Sequence, residues 1–128
     1  MNTIKSNATK DRVEIKLFAD YNSKEEIGRL IVNVFSVGNE CYSRIDYFYV
    51  KPEHRNQRNG KSMFLKAITK LKKMGCVYLT VYPNPEPQKG EVPLSYEALY
   101  KIYNHLGFVF VNNTDEENSP NKEMRYEF

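Results

Sequence analysis

The sequence predicts an α+β fold in which a mixed sheet is covered by helices. Three observations favour this fold. Several short stretches alternate apolar and polar residues with a period of two, which is typical of strands. Two longer stretches carry apolar residues at helical spacing. Finally, strands precede, separate and follow the two helices, in the order β-β-β-α-β-α-β-β. The whole chain, residues 1–128, is short enough to be a single domain.

The predicted strands begin after a short lead. Residues 1–11 lack an apolar signal core and are expected to be disordered. RVEIKLF (12–18) then alternates apolar and polar residues as a half-buried strand does. Gly38 and Asn39 supply a hairpin turn between the next two strands. The remaining predicted strands are GRLIVNVFSVG (28–38), CYSRIDYFYVK (41–51), VYLTVYP (77–83), FVFV (108–111) and EMRYEF (123–128).

The two helices have clear start and stop signals. The first runs from Asn59 to Met74 and is ended by Gly75. The second covers residues 96–106, with Ser95 as its N-cap and Gly107 at its end. The buried face of the first helix is predicted to contain Met63, Phe64, Ala67, Ile68, Leu71 and Met74, and that of the second Leu99, Ile102, Tyr103 and Leu106.

The composition excludes several classes of protein. Hydrophobic residues make up 41% of the chain and charged residues 27%, as in ordinary globular proteins. No apolar run approaches the roughly 20 residues of a membrane span. Cys41 and Cys76 lack metal-ligand spacing and are expected to be buried thiols in a reducing cytoplasm rather than a disulfide. The chain contains only two histidines, so a histidine-based metal site is not expected either, and no metal site is predicted.

Positive charge is concentrated in one segment. The net charge of the chain is +3, but residues 51–73 contain eight lysines and arginines against Glu53 alone. This excess predicts an anionic partner near the segment. The lysines from Lys66 onward are expected to form a solvated helix face, whereas Arg55, Arg58 and Lys61 flank the loop that enters the helix.

That loop ends in GKS, the last residues of a nucleotide-binding P-loop. A P-loop also needs a glycine five residues before Gly60, and Arg55 stands there instead. The strand order also lacks the repeated βαβ units of a parallel nucleotide-hydrolase sheet. What remains is a strand, a basic loop and a helix start, whose free amides and positive dipole end can bind a pyrophosphate without a metal ion.

Two motifs resemble the GNAT superfamily of acyl-CoA-dependent N-acetyltransferases. The first, [QR]-x-x-G-x-[GA] after a strand ending in V-x-P, is matched by VKPEHRNQRNG, with Arg55 and Gly60 at its ends. Arg58 replaces the middle glycine of that motif. The second, L-Y-x-x-x-G-F, is matched by IYNHLGF, Ile102 to Phe108. The order of elements from residue 28 onward is also similar to that of the family.

The resemblance implies a mostly antiparallel sheet and an acetyl-CoA cleft between the strands at 44–51 and 77–83. Backbone groups of Phe48, Tyr49 and Val50 would pair with the pantetheine. The pyrophosphate would be bound by the loop residues Arg55, Asn56, Gln57, Arg58, Asn59, Gly60 and Lys61.

The acceptor side differs from most of the family. Family members usually place two helices after the first strand, and residues 19–27 are too few to form them. The chain is therefore similar to compact members of the family, common in phages and mobile elements. An open acceptor site is expected, formed by the Pro-rich loop before Ser95 and by residues 112–122.

The resemblance also implies two catalytic roles. Tyr103 occupies the position of the family's general acid, close to the sulfur of CoA. Asp46 shares a strand face with Phe48 and Val50, where a raised pKa would suit a general base. Alternatively, Asp46 pairs with Arg44 in a structural salt bridge, and Glu97 with a water relay serves as the base.

The predicted function is transfer of an acetyl group from acetyl-CoA to a primary amine, such as a protein lysine or a polyamine. One alternative is a CoA-binding module without turnover. Another is a small basic protein that binds nucleic acid through residues 51–73 with Tyr47 and Tyr49, although no aromatic-basic pattern extends beyond them. A homodimer could form by pairing of edge strands at 108–111 or 123–128.

Overall fold

The computed structural model describes residues 2–22, 24–55, 57–83, 90–111 and 122–128. In these residues, strands form a mixed sheet in the order β1-β2-β3-β4-β5-β7-β6, accompanied by two α-helices. Neighbouring strands are antiparallel except for β4 and β5, which are parallel. The elements are β1 (Thr3–Ala8), β2 (Arg12–Phe18), β3 (Glu26–Val37), β4 (Glu40–Val50), a 3-10 turn (Pro52–His54), α1 (Asn59–Lys73), β5 (Cys76–Val81), α2 (Tyr96–Leu106), β6 (Val109–Phe110) and β7 (Met124–Glu127). The α+β prediction is confirmed.

The expectation of a disordered N-terminal lead is wrong for Thr3–Ala8. This segment adds an antiparallel strand to the sheet, with Thr3 opposite Phe18 and Ala8 opposite Val13. Backbone hydrogen bonds to the free edge of β2 hold it, and these need no strong side-chain pattern. Ile4 packs against the core and is its apolar anchor.

Helix α1 matches its prediction closely. Its buried residues are Met63, Phe64, Ala67, Ile68 and Leu71. Met74 is the C-cap and is followed by Gly75 in the left-handed conformation, with φ at 85°. The helix packs across β1 to β5, so its apolar stripe closes the core over one face of the sheet.

Helix α2 has the predicted bounds but a different buried face. Ser95 caps it, because its Oγ accepts a hydrogen bond from the amide of Ala98 at 3.1 Å. Its buried residues are Tyr100 and Tyr103, whereas Ile102 is 45% exposed. Leu99 and Leu106, also predicted to be buried, are half-buried. The aromatic rings decide the orientation: Tyr100 packs edge-on against Phe110, and Tyr103 against Phe108.

The sheet edges are β1 and β6. The prediction that residues 123–128 form an edge strand is therefore wrong, because β7 lies between β5 and β6. Among the described residues, no helix interrupts the chain from β1 to β3, and the connections are residues 9–11 and 19–25. No described helix has the length and apolar character needed to cross a bilayer.

Candidate functional site

The parallel strands β4 and β5 diverge and open a cleft between them. They pair from Cys41 opposite Cys76 to Arg44 opposite Thr80, and β4 then continues to Val50 without a β5 partner. The diverging ends enclose a cavity of about 200 Å³. Its walls include Phe48, Tyr49 and Val50 from β4, Val81 from β5, and Leu99, Ile102 and Tyr103 from α2. The exposed apolar side chains of α2 thus face the cleft rather than the core.

The backbone of β4 directs polar groups toward this cleft. The amide of Lys51 donates to the carbonyl of Ile27 on β3 at 2.8 Å. Because neighbouring residues of a strand point their backbone groups in opposite directions, those of Val50 and Phe48 point toward the cleft and those of Tyr49 toward β3. Of the three residues predicted to pair with a pantetheine, two therefore have groups directed at the cleft, and of these the carbonyl of Val50 already accepts a hydrogen bond from Nε of Arg55 at 2.7 Å.

The cleft reaches the N-terminus of α1 at Gly60. Arg58 is the N-cap and makes no side-chain capping bond, and the first turn of the helix contains no acidic residue. No hydrogen bond joins the backbone N–H groups of Gln57 to Lys61 to another described residue. A helix start with free amides, no capping side chain and a positive dipole end is suited to an anion.

Arg58 has an unusual backbone. With φ at 63° and ψ at 11°, it is the only described non-glycine residue with positive φ. This is the position where the family motif has its middle glycine. The left-handed turn is therefore kept, although Arg58 has a Cβ that makes this conformation sterically unfavourable. Asn59 helps to fix the turn, since its Nδ2 donates to the carbonyl of His54 at 2.8 Å.

Arg55 lies beside the cleft but is already engaged. Its Nε donates to the carbonyl of Val50 at 2.7 Å, and its NH2 group forms an ion pair with Glu91 at 3.2 Å. The guanidinium also lies over the ring of Tyr49, 5.3 Å from its centroid. These contacts connect the loop after β4 to the segment before α2.

Glu91 is a site residue that sequence reasoning missed. Its carboxylate accepts hydrogen bonds from the Tyr49 hydroxyl and from Arg55, and its side chain is 17% exposed. Burial, followed by the hydrogen bond to Glu91, raises the pKa of Tyr49 to about 12. No spacing rule could have identified Glu91, because its partners lie about 40 residues earlier and no motif includes it.

Tyr103 is placed in the cleft wall. It is 7% exposed, and its ring lies 6.4 Å from that of Phe48 and 5.5 Å from that of Phe108. The predicted general acid thus faces β4 across the cavity. Leu99, one turn earlier on α2, lines the same wall.

Asp46 is exposed at a bulge in β4. Ile31 pairs with Tyr47 and Val32 with Ile45, so Asp46 is the extra residue between them. A bulge redirects its strand and weakens pairing locally, and bulges are frequent beside functional sites. Asp46 therefore does not lie on a buried apolar face.

The alternative partner of Asp46 is engaged elsewhere. Arg44 lies over the rings of Phe35 and Tyr82, at 5.7 and 5.2 Å from their centroids. Among the described residues, no ion pair joins Arg44 to Asp46. The proposed structural salt bridge is thus not formed.

A second, more open cavity of about 700 Å³ lies on the uncovered face of β3 and β4. It shares four lining residues with the first cavity: Asp46, Tyr47, Tyr49 and Glu91. Two carboxylates and two tyrosines thus stand where the two cavities meet.

The remaining predicted site residues are only partly located. Gln57 is exposed, and its side-chain amide donates to the carbonyl of Glu53 at 3.4 Å. Lys61 is also exposed, in the first turn of α1. Asn56 lies outside the described residues, as do residues 84–89 of the Pro-rich loop and residues 112–121, so most of the predicted acceptor loops are not described.

Comparisons with known proteins agree with this architecture. The model of the acetyltransferase (GNAT) family matches residues 10–89. No curated protein matches the chain significantly.

Solved structures share the fold at low sequence identity. PaiA N-acetyltransferase from Thermoplasma acidophilum, in complex with coenzyme A, is 22% identical with a TM-score of 0.62, over 92% of this chain and 62% of that one. A GNAT family acetyltransferase from Elizabethkingia anophelis with acetyl-CoA bound is 13% identical, with a TM-score of 0.67, and covers 99% and 98% of the two chains. An acetyltransferase from Thermus thermophilus is 14% identical, with a TM-score of 0.66, over 92% and 65%. The chain thus spans less than two thirds of the Thermoplasma and Thermus proteins.

Proposed function

The chain belongs to the acetyltransferase (GNAT) family, and from this premise we propose that it is an N-acetyltransferase that moves the acetyl group of acetyl-CoA to a primary amine. The observation that carries the proposal is the continuity of the cleft between β4 and β5 with the uncapped start of α1. Acetyl-CoA joins a peptide-like pantetheine arm to a diphosphate, so it needs a strand-lined cleft for the arm directly beside a helix start for the diphosphate.

The described residues suit such a ligand. The backbone groups of Phe48 and the N–H of Val50 would pair with the amides of the pantetheine arm, as an added strand does. The N–H groups from Gln57 to Lys61 would bind the pyrophosphate, with Lys61 and Arg58 adding charge. When bound, acetyl-CoA supplies the thioester that the amine attacks.

Arg55 has a different role in this proposal. Its hydrogen bond to Val50 and its ion pair with Glu91 make it a positioning residue, which connects the two walls of the cleft. Binding of phosphate by Arg55 would require breaking the ion pair. We therefore assign phosphate contact to Arg58 and Lys61, both of which are exposed and without ion pairs among the described residues.

Tyr103 would donate a proton to the thiolate that leaves when the amide forms. Its position in the cleft wall, facing Phe48, supports this role. A donor is needed because a free thiolate is a poorer leaving group than a thiol.

Asp46 would accept the proton of the attacking amine, directly or through water. A lysine-type amine with a pKa near 10.4 is mostly protonated at neutral pH, so a proton acceptor is required. Asp46 lines both cavities, and this supports a role between the acyl donor and an amine that would enter from the open face of β3 and β4. Protein lysines and polyamines are the proposed acceptors, because this cavity of about 700 Å³ is open to solvent.

The test has two steps. Calorimetric titration with acetyl-CoA measures binding, and thiol release with a panel of polyamines and lysine peptides measures turnover. Tyr103→Phe should lower kcat about 100-fold or more with the Kd for acetyl-CoA nearly unchanged. Tyr100→Phe is the matched control, because Tyr100 is buried on the same helix and does not line the cleft.

Other outcomes identify the alternatives. Tight binding of acetyl-CoA without thiol release on any amine would show a CoA-binding module without turnover. Equal activity of Tyr103→Phe and wild type would show that Tyr103 is not the general acid. Absence of acetyl-CoA binding would refute the proposal as a whole.

A further inference from the structure

Two cysteine side chains meet at the closed end of the cleft. Cys41 on β4 is the register partner of Cys76 on β5, and their Sγ atoms are 3.0 Å apart. Both are free thiols. The parallel pairing of β4 with β5 brings together residues that stand 35 positions apart in the chain.

The two thiols differ in accessibility. Cys76 is buried, and burial together with the hydrogen bond to Cys41 raises its pKa above that of an ordinary thiol. Cys41 is half-buried, so part of the residue is exposed to solvent. One sulfur is thus open to attack by a reagent, and the second is held in contact with it, sheltered from the solvent.

We propose that Cys41 and Cys76 are a reversible oxidation site, at which a disulfide oxidant such as oxidised glutathione converts the two thiols into one internal disulfide. Cys41, as a thiolate, attacks the oxidant; a mixed disulfide forms and one glutathione thiolate leaves. The Cys76 thiol then attacks the Cys41 sulfur while its proton passes to the departing glutathione, so the second glutathione leaves as a thiol. Both cysteine thiols are oxidised and one glutathione disulfide is reduced to two thiols, so atoms and electrons balance.

Register neighbours on adjacent strands suit the short sulfur-to-sulfur bridge that a disulfide needs. The bridge would close a loop from Cys41 to Cys76 that contains α1 and the part of β4 that lines the cleft. Closing a loop of this length restricts the unfolded chain, so the oxidised protein should unfold at a higher temperature. Neither cysteine lines the two cavities, so the bridge should leave acetyl-CoA binding within about twofold.

The test uses the full chain, first reduced and then equilibrated in glutathione buffers of increasing oxidised fraction. Free thiols are alkylated and the products weighed intact. The expected product is a chain that has lost two hydrogen atoms and carries no alkyl group. Cys76→Ser should instead accumulate a glutathione adduct on Cys41, because no second sulfur can displace it, and Cys41→Ser should react much more slowly.

Thermal unfolding supplies a readout that does not depend on the variants. Oxidised wild-type protein should melt several degrees above the reduced form, and a reductant should reverse the shift. The proposal is overturned if wild-type protein keeps two alkylatable thiols in strongly oxidising buffer, or if it stops at the mixed disulfide. Because neither readout involves acetyl-CoA, failure here is independent of the proposed activity.

Discussion

Replacing Arg58 by glycine should stabilise the protein. Arg58 holds φ at 63°, and a left-handed backbone costs an L residue roughly 1–2 kcal/mol. A glycine would remove that strain but lose roughly 0.5–1 kcal/mol through its greater freedom in the unfolded chain. Removing a positive charge from the start of α1, where the helix dipole is positive, adds about 0.3–1 kcal/mol to the free energy of unfolding. The expected gain in the free energy of unfolding is therefore about 1 kcal/mol.

Arg58→Ala is the matched control, because it removes the same charge and keeps the strained backbone. It should gain only the dipole contribution, so Arg58→Gly should exceed it by roughly 0.5–1 kcal/mol. Urea unfolding followed by circular dichroism measures both, and the melting temperatures should differ by a few degrees. If Arg58→Ala proves as stable as Arg58→Gly, the backbone is not strained there and the reasoning fails.

The same two variants test the phosphate contact. If the guanidinium of Arg58 binds the pyrophosphate, both variants should lose acetyl-CoA affinity by a similar factor, on the order of tenfold. Wild-type affinity in Arg58→Gly would assign the anion site to the amides and Lys61 instead. Stability and affinity should thus change in opposite directions at one position, which is the pattern expected of a strained binding loop.

Three further predictions concern the same walls of the cleft and the end of α2. The folded pKa of Tyr49, about 12, lies above the unfolded value near 10, so its neutral form contributes stability below pH 10 that is lost as pH rises toward 12. In urea titrations at alkaline pH, the free energy of unfolding of Tyr49→Phe should therefore fall less steeply with pH than that of the wild type. Gly107→Ala should lower the free energy of unfolding more than Gly75→Ala in the same assay, because both glycines have positive φ but only at Gly107 would a Cβ lie 2.9 Å from Tyr126. An equal decrease in the two variants would contradict this. Ile102→Ser should change the free energy of unfolding by less than about 0.5 kcal/mol, since the side chain is 45% exposed, yet weaken acetyl-CoA binding in calorimetry; unaltered affinity would show that this side chain does not contact the ligand.

The sequence located the proposed anion-binding loop better than it described the walls of the cleft. The basic residues around Gly60 and the helix start are local features, and they predicted the free amides, whereas the positive φ of Arg58 is seen only in the structure. Glu91 could not be found in this way. It joins the site only through its contacts with Tyr49 and Arg55, which are distant from it in the chain.

The sequence by itself determined the two helices, with their bounds, the Ser95 cap and the terminating glycines, because periodicity and capping act within a few residues. The tertiary structure decided the rest: that Thr3–Ala8 joins the sheet, that α2 turns Tyr100 rather than Ile102 inward, and that β4 and β5 part after Arg44. Each of these depends on a partner distant in the chain, whose hydrogen bonds or ring contacts outweigh local preference. The cleft exists only where those distant strands separate, so its shape could not be predicted from neighbouring residues alone.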